Sequence, residues 1–227
     1  DKSFKIMEAV RKGKVAKGKE PKWKDEYIPL MKEHDVPDWY IKSCEKIKYM
    51  FPKAHAAAYV TNAFRIAWFK VHIPLAYYAA YYSIRAKAFD ASCMIFGKEK
   101  VKNKMKEIEM KNQKKEATKA ELDMYDDLEI VLEMYERGFE FLPVDIYESE
   151  ATKFKIQDNK LRPPLNSIPG FGGVAAQGIV DARKDGKFMS IDDLKIRAKI
   201  GASGADLLKQ FGCLEGMSQS NQLSLFG

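Results

Sequence analysis

A chain of 227 residues with 39 Lys and Arg against 32 Asp and Glu carries a formal net charge of +7. Its hydrophobic content of 46% and aromatic content of 12% exclude a disordered chain. Three isolated cysteines, Cys44, Cys93 and Cys213, form no CxxC pair, which excludes a disulfide framework or a zinc site and fits a reducing, cytoplasmic setting. His34, His55 and His72 lack metal-ligand spacing. The charge is uneven: residues 1–120 hold 27 basic and 14 acidic side chains, residues 121–227 hold 12 and 18. A basic half points to a polyanion such as nucleic acid, although on charge alone a solvated lysine-rich surface accounts for it equally well.

Residues 1–50 predict short helices with basic connections. Phe4, Ile6, Met7 and Val10 form an apolar stripe that Gly13 and Gly18 interrupt. Pro37-Asp38 opens a segment whose apolar positions are Trp39, Ile41, Ile47 and Met50. Phe51-Pro52 makes a hinge, and well-packed helices are expected from about Ala54 to Val71 and from Pro74 to about Ala88. The most apolar stretch, Ala54 to Ile84, includes Arg65 and Lys70, so no membrane segment is predicted. No signal peptide is predicted, and a start at Asp1 is what a piece of a longer chain is expected to show.

From Lys98 to Arg137 two long charged helices are predicted, the first basic and the second acidic. An antiparallel pair would bury Leu122, Tyr125, Leu128, Val131, Leu132 and Tyr135. Asp123, Asp126 and Asp127 have the spacing of a solvated face. Two strands follow, 139–142 and 153–157, the second ending in an Asp158-Asn159 turn. The expected class is therefore mainly α. A helical part covers 1–150, a smaller glycine-turned part 151–214, and a polar tail 215–227.

Three motifs carry chemistry. Residues 168–179, Ile-Pro-Gly-Phe-Gly-Gly-Val-Ala-Ala-Gln-Gly-Ile, form a glycine hairpin running into a helix, with Val174, Ile179 and Ala182 expected on its inner side. Glycines let backbone approach a ligand closely, and a hairpin beside a helix start aims N–H groups at a phosphate. Gly170, Phe171, Gly172 and Gly173 are the hairpin candidates, with Arg183 and Lys184 following. Lys199-Ile-Gly-Ala-Ser-Gly-Ala-Asp206 looks like a second, weaker copy, with Gly201, Ser203 and Gly204 as its candidates. The pattern resembles the helix-hairpin-helix module of DNA-binding proteins, which grips duplex phosphates without reading sequence.

The second motif is the terminal Gln222-Leu223-Ser224-Leu225-Phe226, which resembles the peptide that bacterial replication proteins insert into the sliding clamp. Leu225 and Phe226 are apolar anchors, Gln222 is a rim amide, and the preceding polar residues would act as a flexible spacer. The third is Phe51-Pro-Lys-Ala-His-Ala-Ala-Ala-Tyr59 and its helix. There His55, Asn62 and Arg65 fall within an arc of about 80°, with Lys53 at the helix start. The stripe suits a triphosphate or template strand; a buried histidine with Arg65 in a salt bridge is the plainer alternative.

In this order, the motif at 51–59, the 153–179 stretch and the terminal peptide resemble the C-terminal part of the bacterial replicative DNA polymerase III alpha family, PolC type. The resemblance covers essentially the whole chain. It implies that residues 1–150 belong to the fingers, with Phe51, Lys53, His55, Asn62 and Arg65 near incoming dNTP or template. It also implies a duplex-binding tandem helix-hairpin-helix region and a clamp-binding tail. The implied partners are primer-template duplex, dNTP, the sliding clamp and the remainder of the polymerase, with no membrane. The family's palm carboxylates, which hold Mg2+, have no counterpart here, so no catalytic or metal residue is assigned and this chain alone is expected to be inactive. A non-catalytic, structure-specific DNA-binding adaptor that recruits the clamp is the rival reading; an RNA-binding protein would need more strands.

Overall fold

The computed structural model describes residues 1–86 and 88–220. It is mainly α, as expected, and separates into two compact units, Asp1–Arg65 and Ile66 onward.

In the first unit, α1 (Lys2–Arg11), a π-helical turn (Trp23–Tyr27), α2 (Ile28–Glu33) and α3 (Asp38–Cys44) enclose a small core. Ala9, Val10, Trp23, Tyr27, Met31, Ile41 and Cys44 fill it. Trp23 donates its indole N–H to the Glu45 carboxylate at 2.9 Å, which satisfies the polar edge of a buried ring. Phe4 and Met7 are exposed, contrary to the predicted stripe. The inward positions are Ile6, Ala9 and Val10, and Phe4 lies about 160° round the helix from Ile6. Gly13, at φ +65°, turns the chain after α1 and packs so closely on the Lys48 carbonyl that a Cβ would overlap it. Met50 then donates its N–H to the Arg11 carbonyl at 3.0 Å.

Helix α4 (Lys53–His72) runs 20 residues and has no buried side chain. The expectation of a well-packed helix fails here: Tyr59, Phe64, Trp68 and Val71 are all exposed. Apolar spacing forecasts the helix and says nothing of what covers it.

In the second unit, α5 (Pro74–Ile84), α6 (Ala91–Met94), α7 (Lys98–Gln113) and α8 (Lys119–Glu136) share a core built on Tyr78, Tyr82, Met94, Ile108, Leu128, Val131 and Met134. Arg137, just past α8, donates to the Tyr78 hydroxyl and the Lys70 carbonyl, both at 2.9 Å. The predicted charged pair is α7 and α8, with Leu128 and Val131 buried; Leu122 is exposed near the start of α8. A capping box at Thr118 and Glu121 starts α8. The Lys111 ammonium and the Thr118 N–H and hydroxyl hold the Glu121 carboxyl down at about 2. Asp127 departs from the expected solvated face. It is buried and accepts from the Ala88 N–H at 2.9 Å and the Tyr81 hydroxyl at 3.4 Å.

Strands β1 (Lys155–Gln157) and β2 (Lys160–Arg162) form an antiparallel hairpin across Asp158 and Asn159, both left-handed, as a type I′ turn demands. The strand predicted at 139–142 shrinks to a bridge between Phe141 and Leu161. Beyond it, a 3-10 turn (Leu165–Ser167), α9 (Gly173–Ala182), α10 (Ile191–Ala198) and α11 (Ala202–Gln210) pack on Ile168, Phe171, Ile179, Leu194, Ile200 and Leu208.

Candidate nucleic-acid interface

The two hairpins match residue for residue. Gly170 and Lys199 are both left-handed, at φ +80° and +54°. Phe171 and Ile200 are both buried behind them. Gly172 and Gly201 are the N-caps of α9 and α11, and Ala176 and Ala205 then point into the core, followed by Ile179 and Leu208. The copies also pack on each other. A Cβ on Gly204 would lie 3.4 Å from the Phe171 ring, and one on Gly170 would lie 3.5 Å from the Leu207 side chain. Phe171 is thus a packing residue of the hairpin pair, at 3% exposure.

The glycines divide by what the fold asks of them. Gly170 needs its positive φ, and Gly204 its contact with Phe171. Gly172 and Gly201 need neither: their backbones are extended, at φ −70° and −76°, and a Cβ on either meets nothing within 4 Å. Gly173 starts α9 with only ordinary contact to Thr152. No side chain caps α9 or α11, so the first-turn N–H groups of Gly173, Val174 and Ala175, and of Ala202, Ser203 and Gly204, face outward unbonded by a cap. Val174 is 91% exposed, not inward as expected, because five residues separate it from Ile179, about 140° of rotation.

The third helix start in this region is closed. Ser190 caps α10 by accepting from the Asp193 N–H at 3.1 Å. The tail crosses the same end: the Ile191 and Asp192 N–H groups donate to the Ser218 and Gln219 carbonyls at 2.9 and 3.1 Å. The Gln219 amide and the Ser218 hydroxyl return bonds to Asp192 and to the Met189 carbonyl. The described part of the expected flexible spacer is therefore pinned. Asp192 and Asp193 add acid at this end, so of the three helix starts only those of α9 and α11 suit an anion.

Arg183, a predicted duplex contact, donates to the Ile146 and Ser149 carbonyls at 3.0 and 2.6 Å and so braces the 145–149 turn. Lys184 is exposed and paired with Asp181 at 2.7 Å. Lys199, quoted at the head of the second copy but not among its candidates, is exposed and aligns with Gly170. In the first unit, His55 stacks between Phe51 and Tyr59, with ring centroids 4.9 and 4.2 Å apart, and Tyr49 extends the row beyond Phe51 at 4.7 Å. Every ring in this row is exposed. Lys53, Asn62 and Arg65 are exposed too, and none has a side-chain bond among the described residues. The salt bridge and buried histidine of the plainer reading are thus absent among those residues. Gln222, Leu223, Ser224, Leu225 and Phe226 lie outside the described residues.

Among the described residues no three His, Cys, Asp or Glu side chains gather to hold a metal, and no helix is long and apolar enough to cross a membrane.

A helix-hairpin-helix motif family matches residues 138–223. The DNA polymerase III PolC-type proteins of Bacillus subtilis and Caldanaerobacter subterraneus are 52% and 51% identical over 224 residues. That of Clostridium perfringens is 49% identical over 225. Each match takes in 99% of this chain and 15% of the relative. Near-complete coverage at about half identity makes the chain a member of the PolC-type DNA polymerase III family, corresponding to a segment of about 15% of its relatives' length.

Proposed function

We propose that the chain serves a DNA-directed DNA polymerase by holding product duplex, positioning nucleotide and template, and tethering the sliding clamp. The observation that carries the duplex part is the pair Gly172 and Gly201. Both sit at open helix starts where neither a positive φ nor a close neighbour demands glycine, and a phosphate backbone approaching those amides does. Because amides at a hairpin see only phosphate, the grip is independent of base sequence. Titrating two labelled duplexes of unrelated sequence tests it. Equal affinities that fall together with rising salt are expected, and affinity for one alone overturns it.

The exposed row of Phe51, His55 and Tyr59, with Lys53, Asn62 and Arg65 on the same helix, supports a role toward incoming dNTP or template bases through stacking and charge. Mg2+ for nucleotidyl transfer would be held by palm carboxylates elsewhere in the polymerase. Residues 222–226 would supply the clamp peptide, rooted on α10 by Ser218 and Gln219. Linking a weak clamp peptide to a weak duplex grip raises the effective concentration of each. Replacing Leu225 and Phe226 with Ala should abolish clamp capture in a pull-down and leave duplex binding intact; retained capture overturns that part.

A further inference from the structure

Eight Lys and Arg lie between residues 161 and 220, and the fold engages five of them. Arg162, Arg183 and Arg197 donate to backbone carbonyls. Lys184 and Lys195 pair with Asp181 and Asp192. Lys187, Lys199 and Lys209 remain exposed, with no side-chain hydrogen bond or ion pair among the described residues.

Lys199 differs from the other two in place and in backbone. It stands in the second hairpin, two residues before the open cap Gly201, at the position that Gly170 holds in the first. Its φ of +54° is one that glycine or asparagine adopts readily and lysine adopts at a cost. Packing does not account for it: Lys199 is exposed while Ala198 and Ile200 on either side are buried. The second hairpin also begins with less glycine than the first, so it exposes less bare backbone to a ligand.

We infer that Lys199 is a duplex-phosphate ligand, its ammonium supplying at the second hairpin a charge that the first hairpin lacks. The inference rests on the duplex-binding reading of the hairpins and names the side chain that adds to their amides. Lys199, not Arg183 or Lys184, then carries the salt-dependent share of binding closest to the hairpins.

The test is the affinity of the whole chain for a mixed-sequence duplex over a range of salt. Lys199→Asn keeps a residue that tolerates the left-handed backbone and removes the charge; Lys199→Arg keeps the charge. Lys195→Ala removes a lysine already paired within the fold. For Lys199→Asn the slope of log affinity against log salt should become shallower by about 0.9, with several-fold weaker binding at low salt. Its melting temperature should stay at or above that of the parent. Lys199→Arg and Lys195→Ala should retain the parental slope. A parental slope and affinity in a folded Lys199→Asn protein overturns the inference while leaving duplex binding standing. A parent chain that binds no duplex overturns the underlying reading and the inference together.

Discussion

Gly178, in the middle of α9, lies against the carbonyl of Ala198, the last residue of α10, so closely that a Cβ on Gly178 would overlap the oxygen. This contact sets how near the body of the first hairpin's helix comes to the start of the second hairpin. The obstructing atom is backbone and cannot swing away. Gly178→Ala should therefore cost about 1–3 kcal/mol through forced separation of α9 from α10. Gly204→Ala, which meets the edge of the Phe171 ring at 3.4 Å, should cost less. Thermal melting of the two variants side by side checks the order; equal melting temperatures would contradict it.

Arg197 binds the far side of the same assembly. Its guanidinium donates to the carbonyls of Ala182, Gly186 and Lys187, pairs with Asp193 at 3.3 Å, and lies 4.7 Å from the Phe188 ring centroid. A lysine cannot reach three carbonyls from one planar fork. Arg197→Lys should cost about 1–2 kcal/mol and Arg197→Met about 2–3 kcal/mol, because carbonyls lose charge-assisted partners. Denaturant midpoints at constant m measure both. A lysine variant as stable as the parent would show that charge alone suffices.

The α7–α8 pair carries an acid-sensitive clasp. Lys111 lies 2.7 Å from Glu121 and 2.9 Å from Glu107, and the Glu121 carboxyl is held down at about 2. A carboxyl lowered on folding contributes stability above its unfolded value of about 4.3 and loses it as pH falls toward its folded value. The melting temperature should thus decline between about pH 5 and pH 2. Glu121→Gln should flatten part of that decline. Identical pH profiles for parent and variant would remove Glu121 from this role.

Local grammar was readable from the sequence. The Asp158-Asn159 turn, Pro74 at the start of α5, the α7–α8 pair and both hairpins all fall where residue type and spacing put them. Three features escaped the sequence because they depend on partners distant along the chain, whereas the outward turn of Val174 and Phe4 is a matter of local helix rotation. Asp127 looked like one acid among many, because its burial depends on Ala88 and Tyr81, some forty residues earlier. Arg183 looked free beside a hairpin, yet its carbonyl partners lie more than thirty residues upstream. The spacer at Ser218 and Gln219 looked mobile because nothing in its composition reveals two unsatisfied N–H groups waiting at the start of α10.

The central claim is that hairpin backbone, open to solvent at Gly172 and Gly201, holds duplex phosphates. Its most direct test is duplex affinity of a Gly172→Val, Gly201→Val double variant, measured on two unrelated sequences. Both backbones are extended, and a Cβ at either position meets no neighbour. The variant should therefore fold, melting somewhat below the parent because valine is a poorer helix N-cap than glycine. Its affinity should fall on both sequences by the same factor, about tenfold or more, equivalent to at least about 1.4 kcal/mol. Parental affinity in the folded variant, or a loss confined to one sequence, would contradict the account.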